Sequence, residues 1–259
     1  MKLSHAAVLP IVVSLLCINQ ALFVVNDVSA NDAQGATSIA KPFDSESNNQ
    51  DEEYEKAIAS MPDPIEPFNR IMFQLNDKLY FYFFKPIAKG YSFVIPETAR
   101  ISVSNFFSNL ATPIRLSNCL LQGRISDASN EFTRFCINSI YGVGGLFDPA
   151  RNFWDIPKKQ EDFGQTLGRY GAGPGFYLVL PFFGPSSLRD GIGIVVDFLP
   201  DPMTYLLTTA EYWGTEGVVR VNYISLHMGE YEKIKREAID PYLFTRDAYA
   251  QYRAGLIRQ

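Results

Sequence analysis

Residues 142–191 read GVGGLFDPARNFWDIPKKQEDFGQTLGRYGAGPGFYLVLPFFGPSSLRDG, a stretch in which clustered glycines alternate with large aromatic side chains. Glycine allows backbone conformations and close approaches that other residues exclude. Aromatic rings add broad surfaces that suit an apolar environment at one end and water at the other. The stretch contains no histidine, no cysteine and no phosphate-binding loop motif. It therefore predicts a surface that accommodates an apolar ligand, and it disfavours a catalytic centre.

The globular part of the chain, from about residue 61, is predicted to be mainly α-helical. Apolar residues recur at three- and four-residue spacing in a first helix, at Phe68, Met72, Leu75 and Leu79. The run 176–180 (FYLVL) is the one convincing strand-like segment. Further helices are expected to begin at Pro96-Glu97, at Pro113 with an end at Gly123, and at a cap on Ser126 or Asp127, and to lie near 188–199, 202–212, 215–237 and 241–253.

The N-terminus has the layout of a secretory signal peptide. Lys2 precedes an apolar stretch from Ala6 to Ile18, and Val28-Ser29-Ala30 supplies a small-x-small cleavage site. Polar residues interrupt the apolar part, whereas a transmembrane span needs about 20 consecutive apolar residues. We therefore expect residues 1–30 to direct export, with an uncleaved N-terminal anchor as the alternative.

The segment that follows is polar and acidic. Residues 31–60 carry too little apolar surface to offset the entropy of ordering them. They are predicted to form a disordered acidic linker, followed by one domain over 61–253 and a short tail at 254–259. The formal net charge of −5 argues against a nucleic-acid partner.

The segment Leu79–Phe84 (LYFYFF) is apolar on every side of a helix. Such a helix is buried in a core or contacts a membrane. Lys78 and Lys85 flank it, and the polar tips of Tyr80 and Tyr82 suit a headgroup boundary. Six residues cannot span a bilayer, so the segment is a candidate for lying in the membrane interface. A core helix is the alternative. The candidate residues are Leu79, Tyr80, Phe81, Tyr82, Phe83 and Phe84.

A series of motifs in order resembles the MlaA/VacJ family. The first is DPIEPFNR at 63–70, with Asp63, Pro64, Phe68, Asn69 and Arg70, which resembles the DP-x-E-x-FNR opening of the family. The others are KPIA (85–88), VSNF (103–106), NL (109–110), LQG (121–123), FTRF (132–135), NS (138–139), GVGG (142–145), DFGQTLG (162–168), YG (170–171), LPFFG (180–184), LRD (188–190), DPY (240–242) and RDAY (246–249). Together they cover roughly 61–253.

The resemblance implies a ring-like bundle of amphipathic helices around an amphipathic channel, embedded in one leaflet, with at most a short strand or hairpin near 170–183. Family members are outer-membrane lipoproteins that sit beside trimeric porins. They draw misplaced phospholipids from the outer leaflet and pass them to a periplasmic carrier protein. They are not enzymes and hold no cofactor. The resemblance thus implies lipid transport from the periplasm-facing leaflet; an envelope lipase and a purely structural envelope tether are the alternatives.

The family's lipid attachment would fall on Cys17. A bacterial lipoprotein carries a small residue immediately before the cysteine, whereas Leu16 stands there in this sequence. A single acyl chain would in any case be a weak anchor. Lipidation of Cys17 and cleavage after Ala30 therefore both stay open.

A glycine-rich turn precedes the strand-like run. Gly171, Gly173 and Gly175 can adopt conformations closed to other residues, and Pro174 fixes one φ angle. The turn could act as a hinge that gates a lipid path, or it could simply connect a helix to a strand. The candidates for lining or gating the path are Gly171, Gly173, Gly175, Phe176, Tyr177, Phe182, Phe183 and Arg189.

Two arginines lie among apolar residues. The guanidinium groups of Arg134 and Arg189 could draw a phosphate headgroup. Alternatively, each could form an ion pair with Asp148, Asp162 or Asp190, because buried charges need partners. The ion pair is the favoured interpretation for Arg134, and both interpretations stay open for Arg189.

The sequence offers little that could catalyse a reaction. Once the signal peptide is removed, His227 is the only histidine, and a packing or surface role is expected for it within a helical run at 215–237. Cys119 and Cys136 could form a disulfide in an oxidising compartment. Buried free thiols are the preferred interpretation, because both cysteines lie on apolar helix faces.

Overall fold

The computed structural model of the protein describes residues 61–259, so the predicted signal peptide, the lipidation of Cys17 and the linker lie outside the described residues. The described part is mainly helical, as predicted. A π-helical turn at Tyr80–Phe84 follows the first helix. The helices are α1 Glu66–Leu79, α2 Lys85–Val94, α3 Glu97–Leu110, α4 Thr112–Leu121, α5 Ile125–Ile140, α6 Pro149–Trp154, α7 Phe163–Arg169, α8 Leu188–Asp197, α9 Pro202–Leu206, α10 Thr209–Leu226, α11 Glu230–Glu237 and α12 Pro241–Arg258.

Asp-Pro pairs begin three of the helices. Asp148, Asp201 and Asp240 each occupy the N-cap, where the carboxylate accepts hydrogen bonds from backbone N–H groups of the first turn. The proline that follows each of them occupies the first helical position, which needs no N–H donor. Helix α10 instead begins with a capping box between Thr208 and Glu211. The sequence therefore specifies these helix starts locally.

Several predicted helix boundaries are wrong. The fourth predicted helix, α5, begins at Ile125 with Arg124 at its N-cap and no side-chain cap, so neither Ser126 nor Asp127 caps it. The single helix predicted at 202–212 is two helices, because the chain is extended at Leu207 and Thr208. The run predicted at 215–237 is also interrupted. It ends at Leu226, and Gly229 then adopts a φ of 99° before α11.

The strand-like run forms a hairpin. Strands β1 (Tyr177–Leu180) and β2 (Gly184–Ser187) pair antiparallel, with Tyr177 opposite Ser187 and Leu180 opposite Gly184. The N–H of Phe183 donates to the carbonyl of Leu180 over 3.1 Å and closes the turn. This confirms the predicted strand at 176–180 and adds a partner strand.

The described residues divide into two compact units. Unit 1 contains residues 61–76, Gly171–Gly191 and Glu230–Gln259, and unit 2 contains Asp77–Tyr170 and Ile192–Gly229. The core of unit 1 is aromatic, and its rings meet edge to face or tilted, as aromatic pairs prefer. Its buried members are Met61, Tyr177, Val179, Tyr242, Tyr249 and Ala250.

Unit 2 is a group of packed helices. Helix α4 packs on α5, and α10 packs on both α2 and α3. None of the helices within residues 61–259 combines the length and the apolar character needed to cross a bilayer.

Candidate functional site

The helices of unit 2 bury polar side chains. In α5, the residues facing inward are Ala128, Glu131, Arg134 and Asn138, at the three- and four-residue spacing of one helix face. The buried side of α10 likewise contains Glu216, Arg220, Asn222 and Ser225 besides Ile224. Buried charges require partners, so these faces must be tied to one another by hydrogen bonds and ion pairs.

Two ion pairs connect the buried face of α5 to neighbouring segments. Glu131, whose side chain is fully buried, accepts from Arg115 Nε over 2.7 Å and from the N–H of Lys159 over 2.7 Å. Arg134 donates to Asp148 over 2.8 Å, and Asn138 donates to the other oxygen of Asp148 over 2.9 Å. The interpretation of Arg134 as a structural ion-pair residue is therefore confirmed.

Asp148 is ionised in this network. Burial would raise the pKa of its carboxyl group, but hydrogen bonds from Arg134 and Asn138 outweigh burial and hold the pKa below its usual value. A small pocket adjoins the network, and every residue that lines it is polar. The lining residues are Asn105, Ser108, Asn109, Thr112, Arg115, Arg134, Asn138 and Asp148.

The outward face of the same helices is apolar. On α5, Phe132 is exposed on the side away from Glu131 and Arg134, and Phe135 is exposed at the border of their buried face. Phe93 at the end of α2 is almost fully exposed. Large apolar side chains exposed in this number are unusual for a soluble domain, and apolar patches usually contact a partner or a membrane. The other exposed large apolar residues of unit 2 include Ile87, Val94, Ile101, Phe106, Leu120, Leu121, Ile125, Ile140, Leu199, Tyr205, Leu206 and Val218.

The candidate interface segment Leu79–Phe84 is part of this exposed surface. Its π-helical turn buries Tyr80 and exposes Phe83 and Tyr82, the latter by 83%. Phe81 packs edge to face on Tyr80, with ring centroids 5.2 Å apart. The segment therefore combines one inward ring with outward rings, and its contact with a membrane stays a prediction.

The glycine-rich turn is tied to the start of α8. Gly171 and Gly175 adopt φ angles of 87° and 71°, which L-residues rarely adopt. The N–H of Arg189 donates to the carbonyl of Pro174 over 3.2 Å, and the N–H of Leu188 donates to that of Phe176 over 3.1 Å. Gly173 has open space where a side chain would stand. Hydrogen bonds from α8 thus hold the C-terminal end of the turn. Its role as a hinge stays a prediction.

The aromatic candidates beyond the turn differ in burial. Tyr177 and Phe183 are buried in the described structure, whereas Phe182 is exposed at the hairpin tip with a φ of 66°. A bulky residue at positive φ is uncommon and strained. Phe176 precedes the hairpin and contributes the carbonyl that Leu188 uses.

Arg189 is a buried ion-pair residue. Its Nε donates to Asp190 over 2.9 Å, and its Nη1 donates to the carbonyl of Ala172 over 3.3 Å. Arg253 binds the same carboxylate over 2.9 Å, and the hydroxyl of Tyr249 donates to it as well. Burial would raise the pKa of Asp190, but the charges of Arg253 and Arg189 hold that pKa below its usual value.

The family-motif residues organise unit 1. Asn69 donates to Asp63 over 2.7 Å, and Asp63 in turn accepts from the hydroxyl of Tyr242. Arg70 donates to Asp240 over 3.0 Å, and its guanidinium lies 4.4 Å from the ring centroid of Tyr242. Of the other motif residues, Pro64 lies in the turn before α1 and Phe68 is exposed on it.

The residues considered for chemistry are not grouped. The ring of His227 stacks on Tyr223 with centroids 4.2 Å apart, at the end of α10. Cys119 and Cys136 are free thiols, and burial raises the pKa of Cys119 to about 12. Within residues 61–259, no group of three or more His, Cys, Asp or Glu side chains is placed to hold a metal ion.

Sequence reasoning missed most of the buried polar network. Arg115, Glu131 and Asn138 were not among the predicted site residues. Glu131 and Asn138 nevertheless lie on the regularly spaced buried face of α5. The available signal was the polar stripe of α5, which repeats every three or four residues on the side away from Phe132 and Ile140.

Polar helix faces that pair inside, with apolar faces outside, define a helical protein of the lipid-contacting class. The chain belongs to the MlaA lipoprotein family, whose sequence profile matches residues 61–255.

Individual relatives agree with this membership. The chain is 36% identical over 197 residues to the "Intermembrane phospholipid transport system lipoprotein MlaA" of Escherichia coli (strain K12), covering 73% of this chain and 76% of that protein. It is 32% identical over 204 residues to the protein of the same name from Haemophilus influenzae, covering 76% of this chain and 79% of that protein. A solved structure described as "Structural basis for maintenance of bacterial outer membrane lipid asymmetry" matches with a TM-score of 0.63 and 35% identity, covering 75% of this chain and 98% of that one.

Proposed function

We propose that this protein moves phospholipids between the membranes of the cell envelope and thereby maintains the lipid asymmetry of the outer membrane. The names of the relatives in Escherichia coli and Haemophilus influenzae support this function. So does the solved structure that concerns outer-membrane lipid asymmetry. The transport is non-enzymatic and uses no cofactor.

One structural observation carries the proposal. Unit 2 buries charged and amide side chains and exposes phenylalanine, isoleucine and leucine, so helices such as α5 and α10 are largely polar inside, and apolar side chains face outward. A phospholipid has the same two requirements, a polar environment for its head and an apolar one for its chains. A helical unit of this kind can lie among lipid chains and still offer a polar path to a headgroup.

We place the protein in the periplasm-facing leaflet of the outer membrane after export. There, the helices would surround an amphipathic channel as a ring-like bundle. A trimeric porin would adjoin it, and a soluble periplasmic carrier would receive the lipid. The apolar surface at Leu79–Phe84 supports contact with the membrane, because Tyr82 and Phe83 point away from the packed interior.

The turn at Gly171–Gly175 is the proposed gate of the lipid path. It combines two glycines at positive φ with hydrogen bonds from α8 at its far end. A change of these φ angles would move the adjoining strand β1, whose Tyr177 reaches the core of unit 1. Phe182 at the hairpin tip is the exposed residue that such a movement would displace.

The function is tested in cells that lack the protein. Surface aminophospholipids are labelled with an amine-reactive dye that does not cross membranes. Loss of the protein is expected to increase the labelling, and the intact gene is expected to restore it. Unchanged labelling would contradict lipid transport, and detachment of the outer membrane with unchanged labelling would indicate a tether.

A second arm addresses the lipase alternative. The purified protein is incubated with phospholipid vesicles, and the lipids are analysed by mass spectrometry. We expect no lysophospholipid and no free fatty acid. Their appearance in proportion to the amount of protein would identify an enzyme.

A further inference from the structure

A group of apolar side chains lies exposed on the loop after α5 and on α6. We call it the aromatic ledge, and its members are Tyr141, Val143, Phe147, Phe153 and Trp154. All five are exposed, Phe153 by 81%. The ring of Trp154 lies 5.9 Å from that of Tyr141 and 6.2 Å from that of Phe153, centroid to centroid. Tyr141, Trp154 and Phe153 therefore form a continuous aromatic surface in unit 2, and Val143 and Phe147 are exposed on the loop that leads from α5 to α6.

The backbone under the ledge is strained. Val143 has a φ of 53°, in the left-handed region that β-branched residues avoid. Gly144 and Gly145 follow it at 70° and 94°. Such strain costs on the order of 1–3 kcal/mol, and it persists only where the surroundings determine the conformation. Strain of this kind is concentrated at functional surfaces.

Hydrogen bonds and close backbone contacts determine this strained conformation of the loop. The N–H of Gly144 donates to Ser139 over 3.0 Å, that of Gly145 donates to Asn138 over 2.9 Å, and that of Phe147 donates to Gly142 over 3.0 Å. A Cβ on Gly142 would lie 2.4 Å from the carbonyl oxygen of Asn138, so only glycine fits there. The loop thus keeps Val143 exposed, by 63%, although burial would be the ordinary fate of valine.

The chemistry of the ledge suits the boundary between headgroups and acyl chains. Tyr and Trp concentrate there, because their rings are apolar and their O–H or N–H groups can bond to water or headgroups. Arg151 is exposed on α6, beside the ledge in sequence, and it forms a solvent-exposed ion pair of 3.6 Å with Asp155. A guanidinium in that position can bind a lipid phosphate.

We propose that the aromatic ledge is an interfacial phospholipid-binding surface. Tyr141 and Trp154 lie at the depth of the headgroups, Val143, Phe147 and Phe153 enter the uppermost part of the acyl chains, and Arg151 binds the phosphates. This inference rests on the proposed contact of the protein with a phospholipid membrane. It assigns that contact to a segment apart from Leu79–Phe84.

The first test uses the intrinsic fluorescence of the ledge. The chain has two tryptophans, Trp154 and Trp213, so the Trp213→Phe variant reports on Trp154 alone. The full-length variant is reconstituted into vesicles of phosphatidylethanolamine and phosphatidylglycerol that contain brominated phosphatidylcholine. Bromines near the glycerol backbone are expected to quench Trp154 more than bromines near the chain ends. The Trp154→Phe variant, which leaves Trp213, provides the matched comparison of depth.

The second test separates membrane contact from folding. Val143→Asn introduces a polar residue that tolerates the left-handed region, so thermal stability is expected to stay the same or rise. Quenching of Trp154 is nevertheless expected to weaken and its emission to shift to longer wavelength. Equal quenching in a folded Val143→Asn variant would overturn the inference.

The outcomes also separate this inference from the proposed function. If Trp154 is unquenched while the protein sediments with vesicles and lipid asymmetry is normal in cells, the ledge assignment alone fails. If the protein does not sediment with vesicles at all, the proposed membrane contact fails together with it.

Discussion

Asn69 and Asn76 lie seven residues apart on α1, and each side-chain amide bonds to both a carbonyl and an N–H of the hairpin. Asn69 donates to the carbonyl of Tyr177 over 3.0 Å and accepts from the N–H of Val179 over 2.8 Å. Asn76 donates to Leu180 over 2.9 Å and accepts from Phe182 over 2.6 Å. The helix thus supplies the edge of β1 with the hydrogen bonds that another strand would otherwise provide.

Replacing these two asparagines is expected to have unequal effects. Asn69 is fully buried, so Asn69→Ala leaves an N–H and a carbonyl without partners and should lower the free energy of unfolding by about 2 kcal/mol or more. Asn76→Ala should cost about 1 kcal/mol, since Phe182 is exposed to water and its strained φ can relax. Denaturant unfolding in detergent measures both values. An equal or larger loss for Asn76→Ala would contradict the assigned roles.

The π-helical turn gives a test of membrane placement. Replacing Phe81 and Phe83 together by Asp should release the protein from membranes or prevent its folding, because charges do not enter the hydrocarbon. Replacing both by Leu keeps the apolar character and should preserve fractionation with the outer membrane. A folded double Asp variant that stays in the membrane and transports lipid normally would exclude this turn as the contact.

The proposed gate can be locked by a disulfide. A Cβ built on Gly175 would lie 3.0 Å from Cβ of Leu188. Disulfides need about 3.5–4.5 Å between these atoms, so the pair Gly175→Cys and Leu188→Cys can be bridged after a small outward shift of the turn. With Cys119 and Cys136 replaced by Ala, oxidation should block phospholipid retrieval, and reduction should restore it. Each single Cys variant is the control for the strain of a side chain at positive φ. Normal retrieval by the oxidised, folded double variant would make the turn a simple connector.

Glu216 makes stability depend on pH. Burial, followed by the charge of Asp201, raises the pKa of its carboxyl group to about 7. The folded protein therefore binds a proton that the unfolded chain loses near pH 4.5, and stability should fall by up to about 3 kcal/mol as pH rises from 4.5 to 7. Thermal unfolding in detergent across this range should show the decline. The Glu216→Gln variant should show a smaller loss of stability between pH 4.5 and 7. If the variant loses as much stability as the unchanged protein, other groups cause the decline.

His227→Ala separates transport from catalysis. The imidazole stacks on Tyr223 and bonds to the carbonyl of the same residue over 2.8 Å, which is a packing role. Lipid asymmetry, measured by surface labelling of aminophospholipids, should therefore be intact in cells that express the variant. Loss of asymmetry at normal abundance and fold would return a hydrolytic mechanism to consideration.

Local sequence signals predicted much of the fold. The helix predicted near 241–253 begins at the Asp-Pro pair 240–241, whose cap and first-turn requirements are met within four residues. The same pair at 148–149 begins α6, a short helix that was not predicted. Neighbouring residues likewise specify the strand predicted at 176–180 and the end of α4. Gly123, just after that helix, has a φ of 73°. The pairing of Arg134 was predictable because a buried charge requires a partner.

The candidate site was less predictable, because α5 in unit 2 buries charged and amide side chains and exposes apolar ones. This is the reverse of the usual pattern. The apolar period through Phe132 and Ile140 identifies α5 as a helix, yet these residues are exposed and Glu131 and Asn138 are buried. Periodicity gives the helix but not which face points inward. The π-helical turn after Leu79 was also beyond sequence reasoning, because the choice between α and π hydrogen bonding depends on tertiary contacts.

Unit 1 is assembled from three separate segments of the chain. This affects the order in which the protein can fold during export. Its ion pair between Arg70 and Asp240 joins residues 170 positions apart, and Tyr249, whose hydroxyl binds Asp190, lies further along the chain. Contacts of such long range form slowly. The motif around Asn69 leaves the ribosome early but must wait for α12 before its core can close. Truncations that remove α12 should therefore leave the N-terminal motif exposed to envelope proteases.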